Sequence, residues 1–170
     1  MSSDDPKDPI AEQIRLARET KRAESDAAAG EQQLAADFQR QADKNGKGEL
    51  EKIEALFAAR GETINADKDA DDPEFQYNAA THELRAGQFA ICLELTQGFS
   101  PYRFDMVSGL RRDAAQVFAE GFEPEYEPTH WRFLAGMDDR GFFWECDDKR
   151  YSNEQIVKEG LEALATNLGR

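Results

Sequence analysis

Of the 17 phenylalanine, tyrosine and tryptophan residues in this 170-residue chain, only Phe38 and Phe57 precede residue 73. Removing aromatic and aliphatic surface from water is the main force that makes a chain compact, so the core is expected in the C-terminal part. Residues 8–42, by contrast, are rich in Ala, Glu, Gln and Arg and contain no proline after Pro9. Their large apolar groups are Ile10, Ile14, Leu16, Leu34 and Phe38. This is a composition with high helix propensity and no core face. Ile10, Ile14 and Ala17 share one face, but the same stripe then meets Lys21 and Glu24, where a heptad seam needs apolar groups. Because isolated helices are only marginally stable, the segment is expected as an exposed or partner-dependent helical arm. The division expected is residues 1–48 as a partly flexible arm and residues 49–170 as an α+β domain.

Within the domain, residues 49–60 read as a short amphipathic helix with Leu50, Ile53, Leu56 and Phe57 along one side, ended by Gly61. The acidic run NADKDADDP, residues 65–73, reads as a surface loop. In QFAICLELT, Phe89, Ile91, Leu93 and Leu95 alternate with smaller or polar groups, which is the period of a strand. A hairpin to YRFDM with Leu95 opposite Tyr102 aligns Leu93 with Phe104, Ile91 with Met106 and Glu94 with Arg103. In THWRFLAGMDDRGFFWECD, pairing Gly136 with Gly141 puts Trp131, Phe133, Ala135, Phe142, Trp144 and Cys146 on one face. The opposite face then carries His130 across from Asp147, Arg132 across from Glu145 and Leu134 across from Phe143. The first two are solvated charge pairs; Leu134 and Phe143 form an apolar patch available for contact. A strand is expected near residues 75–81, with Phe75 and Tyr77 in phase. A helix is expected over residues 109–120, and residues 121–128 read as an acidic, proline-broken connection. The last helix is expected to start at Ser152 with Gln155 in capping-box position and to run to Gly169.

The nearest approach to a chemical motif is ADKNGKGELEKIEALF, residues 42–57. Counted from Asp43 it has Asn45 at the third position of an EF-hand loop, Gly48 at the sixth and Glu54 at the twelfth, but Lys47 occupies the fifth, where a ligand belongs. The reading adopted is a turn between two helices, with Asn45, Gly46 and Gly48 taking positive φ. Calcium coordination by Asp43, Asn45 and Glu54 is the alternative. His82 and His130 with Cys92 and Cys146 lack the short spacings of structural zinc sites. There is no phosphate loop, nucleophile elbow or H-E-x-x-H, and His82, Glu83 and Cys92 are the residues that an enzymatic reading would use. The cluster Arg15, Arg18 and Arg22 is diluted by Glu12 and Glu19 and reads as solvated helix surface.

The net charge of -14, from 35 acidic and 21 basic residues, disfavours binding to phosphate backbones. There is no apolar run long enough to span a membrane, and two separated cysteines fit a reducing compartment. A cytoplasmic protein with both thiols reduced and buried is expected, with no nucleic-acid or membrane partner and no cofactor. The element order helix, three strands, helix, two strands, helix over residues 49–168 resembles the fold of the type III secretion chaperones. That resemblance implies an antiparallel sheet of about five strands packed against helices, homodimers, and the holding of partner segments. The function expected is therefore a non-catalytic protein-binding or adaptor module, chaperone-like, contacting another protein through Ile10, Ile14, Leu134 and Phe143. Alternatives are an acidic mimic of nucleic acid, although acidity is even along the chain (-7 through Asp72 and -7 after it), and a small enzyme or calcium-binding protein.

Overall fold

The computed structural model describes residues 8–111 and 128–169. Helix α1 (Pro9–Asp67) is followed by β1 (Phe75–Asn78), β2 (Glu83–Ala86), β3 (Phe89–Thr96), β4 (Arg103–Leu110), β5 (Thr129–Asp138), β6 (Gly141–Cys146), β7 (Lys149–Tyr151) and helix α2 (Asn153–Leu168). The fold is α+β, and its antiparallel sheet has seven strands rather than five, each paired with its sequence neighbours. The contacts divide the chain into two units, residues 1–38 and 39–170. The helix expected over residues 109–120 begins with Gly109 and Leu110, which belong to β4, and continues into residues outside the described ones.

Helix α1 starts as its sequence dictates: Pro9 occupies the first turn, and the Asp8 carboxylate accepts the Ile10 N–H at 2.9 Å. It then corrects two expectations. There is no turn at residues 43–48, and Gly61 does not end the helix, which continues to Asp67 and takes the first residues of the expected loop with it. The reason is packing. Ala42, Gly46, Leu50, Ile53, Phe57 and Gly61 recur at intervals of three and four residues and form one buried row. A Cβ at Gly46 would collide with the Tyr102 ring, so this glycine permits close approach of helix and sheet and supplies no turn.

The strand expected at residues 75–81 ends at Asn78 and is the first arm of a hairpin. Asn78 accepts the Ala80 and Thr81 N–H groups at 3.0 and 3.3 Å, His82 sits at φ 54, and β2 returns beside β1. Asn65 of α1 ties down the edge strand by exchanging two 2.7 Å hydrogen bonds with the Phe75 backbone. At the other edge, Asp147 and Asp148 take φ values of 50 and 61, the left-handed pair that closes a two-residue hairpin onto β7.

Both expected hairpin registers are displaced by two residues. In β3 and β4 Leu95 faces Phe104, Leu93 faces Met106 and Glu94 faces Asp105. Tyr102 is withdrawn from pairing with Leu95, since its N–H donates to Asp43 at 2.7 Å and its carbonyl accepts from Ala135 N–H at 2.8 Å. In β5 and β6 the ladder runs on to Asp138 opposite Gly141, so the turn is only residues 139–140, with Asp138 accepting the Arg140 N–H at 2.9 Å. A slip of two preserves the side-chain faces, whereas a slip of one would invert them. Trp131, Phe133, Ala135, Phe142, Trp144 and Cys146 accordingly share the face that the helices cover.

The centre of that face is Trp144, fully buried, with Phe104 and Phe142 meeting it edge-on at 4.9 and 5.0 Å. Its indole N–H donates to Asn153 at 3.0 Å, and Asn153 in turn donates to Glu49 at 2.8 Å, which links β6, α2 and α1. Helix α2 has the expected capping box: Gln155 N–H donates to Ser152 Oγ, and the Gln155 side chain accepts the Ser152 N–H at 2.8 Å. Its Gly160 lies where a Cβ would stand 2.9 Å from Phe57 and 3.1 Å from Met106.

Candidate protein-binding surfaces

In the unit of residues 39–170, the C-terminal part of α1 and helix α2 both pack on the core face of the sheet. The rows facing the sheet are filled by Phe57, Ile156 and Leu164. The next apolar residues on each helix, Leu56 and Ile64 of α1 and Val157 and Leu161 of α2, line a groove of about 570 Å³ together with two basic residues, Arg60 and Lys158, and two acidic ones, Glu154 and Glu162. An apolar groove between two helices is a geometry in which an amphipathic helix docks.

In the unit of residues 1–38, the helix from Pro9 to Ala36 leaves every residue except Glu12 exposed. Ile10 is 64% exposed and Ile14 50%, so both expected contact residues are open to a partner. Arg15 is held within its own helix by Glu12 and by Glu19 at 3.2 Å.

Leu134 and Phe143 are half-buried on the sheet face opposite the core, as expected, but not across from each other. Leu134 lies between Arg103 and Glu145, and Phe143 lies opposite Gly136. The Arg150 guanidinium covers the Phe143 ring at 3.8 Å from its centroid. The charge pairs of this face also differ from expectation. Arg132 does not bond Glu145: Nε and Nη2 reach the two Asp105 oxygens at 2.9 and 3.1 Å, and His130 Nε2 joins at 3.2 Å. Asp105 is buried, and the Arg132 hydrogen bonds hold its carboxyl below the ordinary range against the opposing effect of burial. Glu83 is buried too, bonded by Arg85 at 2.8 Å.

The residues of the calcium alternative are spread along a helix. Asp43 and Glu54, eleven positions apart, are separated by about 16 Å of axial rise, and Asn45 points away from both. Asp43 serves the fold instead. It accepts from Ser100 Oγ at 2.6 Å, Tyr102 N–H at 2.7 Å and Gln39 at 2.9 Å; burial raises its pKa, but these bonds outweigh burial and hold it low. Glu54 accepts the Tyr77 hydroxyl at 2.7 Å and bonds His82 Nδ1 through the same oxygen. Burial, reinforced by that carboxylate, holds the Tyr77 hydroxyl far above its usual range. Sequence reasoning singled out Glu54 and His82 separately; nothing in their spacing signalled that they meet. Cys92 projects from the other side of the sheet, opposite Glu83, and Cys146 is in the core. Neither cysteine is in a disulfide, and both are buried. Among the described residues no group of three His, Cys, Asp or Glu side chains is placed to hold a metal. No helix among the described residues is long and apolar enough to cross a membrane.

Comparison with family models, curated proteins and solved structures finds no match to this chain.

The groove is the feature that sequence reasoning missed. Leu56 and Leu161 were legible as apolar positions on their helices, but only the packing of those helices on one sheet sets them side by side.

Proposed function

We propose that this chain is a non-catalytic protein-binding module, which takes a helical segment of another protein in the groove between α1 and α2 and contacts partners through the exposed helix of residues 9–38. The observation that carries this reading is the groove itself: Leu56, Ile64, Val157 and Leu161 form an apolar floor on two helices already anchored to a rigid sheet. The exposed Ile10 and Ile14 support it independently. A chaperone-like adaptor working in the cytoplasm is the biological setting that fits a soluble, acidic surface of this kind.

The acidic-mimic alternative draws less support. The sheet carboxylates Glu83, Asp105 and Asp138 are each tied to an arginine and do not form a free array. The calcium alternative draws less support too, since Asp43 accepts from Ser100 and Tyr102 and Glu54 from Tyr77, and for the enzymatic alternative His82 is bonded to Glu54 and Glu83 to Arg85. Affinity capture with the full-length protein and with Leu161→Lys and Ile14→Lys variants tests the proposal. A captured helical partner lost with Leu161→Lys supports it; identical capture by all three proteins overturns it.

A further inference from the structure

The helix of residues 9–38 carries a second row besides Ile10 and Ile14. Leu16, Thr20, Ala23, Ala27, Gly30 and Leu34 follow one another at intervals of 4, 3, 4, 3 and 4 residues. At about 100° per residue all six fall within about 40° of one line along the helix. The two leucines at the ends are 49% and 56% exposed. Thr20 meets its own polar need by donating to the Leu16 carbonyl at 2.9 Å. A Cβ at Gly30 would meet nothing within 4 Å. A glycine inside a helix costs about 1 kcal/mol relative to alanine, and no contact among the described residues offsets that here.

Two properties of this row select a partner. The row is its own mirror image about residue 25, so that an antiparallel copy sets Leu16 against Leu34, Thr20 against Gly30 and Ala23 against Ala27. Charge has the opposite symmetry. Residues 9–24 carry Arg15, Arg18, Lys21 and Arg22 against Glu12, Glu19 and Glu24, a net +1, whereas residues 25–38 carry Asp26, Glu31 and Asp37 and no basic group, a net -3. Antiparallel pairing lays the positive half on the negative half; parallel pairing lays like on like.

We infer that the occupant of this helix face is the same face of a second copy of the chain, in an antiparallel, two-fold pair centred near Ser25. The inference rests on the protein-binding reading of residues 9–38 and names one partner for it. Small side chains at the centre let the two backbones approach closely, which gives Gly30 its purpose, and a leucine pair closes each end. Ile10 and Ile14 lie on another side of the helix and remain available to other proteins.

The test uses the full-length chain. Analytical ultracentrifugation is expected to show a concentration-dependent dimer, weakened by about tenfold or more in Leu34→Lys. Orientation is read by mild oxidation of Leu16→Cys and Leu34→Cys proteins, alone and mixed. Antiparallel pairing predicts a disulfide-linked dimer from the mixture and little from either protein alone; cross-linking of Leu16→Cys with itself, or a monomer at the highest soluble concentration, overturns the inference. Near-UV circular dichroism from Trp131 and Trp144 confirms that each variant retains the domain. A monomer that still captures another protein through Ile14 defeats only the self-pairing; identical capture by wild type and Ile14→Lys defeats the broader role of the helix.

Discussion

One helix lives two lives in this protein. From Pro9 to Ala36 α1 leaves nearly everything exposed, while between Ala42 and Gly61 it buries six positions in a row against the sheet. Local propensity does not separate the halves. The first is rich in alanine and arginine, and the second contains Asn45, Gly46 and Gly48, which are poorer helix formers. What differs is the surface each meets. Where Tyr102, Leu84 and Trp144 offer a face, glycine becomes an asset, and where no face is offered, leucine is left in water. Helical stability in a folded chain comes chiefly from packing, with propensity as a weak prior.

Removing an apolar group from each half should separate them most widely. Phe57→Ala should destabilise the domain by about 3–5 kcal/mol, because the ring is fully buried and its cavity cannot fill. Leu34→Ala should leave the domain's unfolding free energy, read from urea titration, within about 0.5 kcal/mol of wild type. Equal losses would mean that both halves share one packed core.

The glycines give a second, smaller contrast. Gly46→Ala should cost about 1–3 kcal/mol through the clash with Tyr102, exceeding the gain of about 1 kcal/mol in helix propensity. Gly48→Ala, two residues on and facing open space, should stabilise by about 0.5–1 kcal/mol. Thermal melts of the two proteins should move in opposite directions.

Asp43 supplies a comparable effect of a different kind. Asp43→Ala strands the Tyr102 N–H and should cost about 1–3 kcal/mol, read from denaturant unfolding. Titration sharpens this. The carboxyls of Asp43 and Asp105 are both held below their ordinary values in the folded chain. Their contribution is therefore complete above the unfolded carboxylate pKa of about 3.9 and is lost as pH falls through the lower folded values. Stability measured from pH 6 down to pH 2 should fall more shallowly in Asp43→Asn and Asp105→Asn than in wild type.

The smallest effect concerns dynamics. Amides of residues 9–36 should exchange with solvent faster than those of residues 42–61 at a concentration where the chain is monomeric. Equal protection would show that the exposed half is held by contacts other than those of the sheet.

Much of the sheet was legible because strand period is a local property. The alternation of Phe89, Ile91 and Leu93, and of Trp131, Phe133 and Ala135, assigned faces correctly. Registers were not legible, because a shift of two residues leaves every face unchanged and the deciding bonds come from elsewhere: Asp43 and Ala135 take the Tyr102 backbone, and Arg132 takes Asp105. Strands β2 and β7 escaped notice because ELRA and KRY are too short and polar to show a period. Ser152 and Gln155 were read correctly since a capping box is complete within four residues.

By itself the sequence determined where the core lies, which strand faces turn inward, where α2 begins and that residues 9–38 form a helix without a core of their own. Each of these depends on neighbours a few positions apart. Tertiary structure alone decided that Gly46 sits inside a helix, that Asp43 and Glu54 belong to the fold, and that Leu56 and Leu161 share a groove. Those outcomes depend on which distant surface a residue meets, and a spacing along the chain carries no information about distance across it.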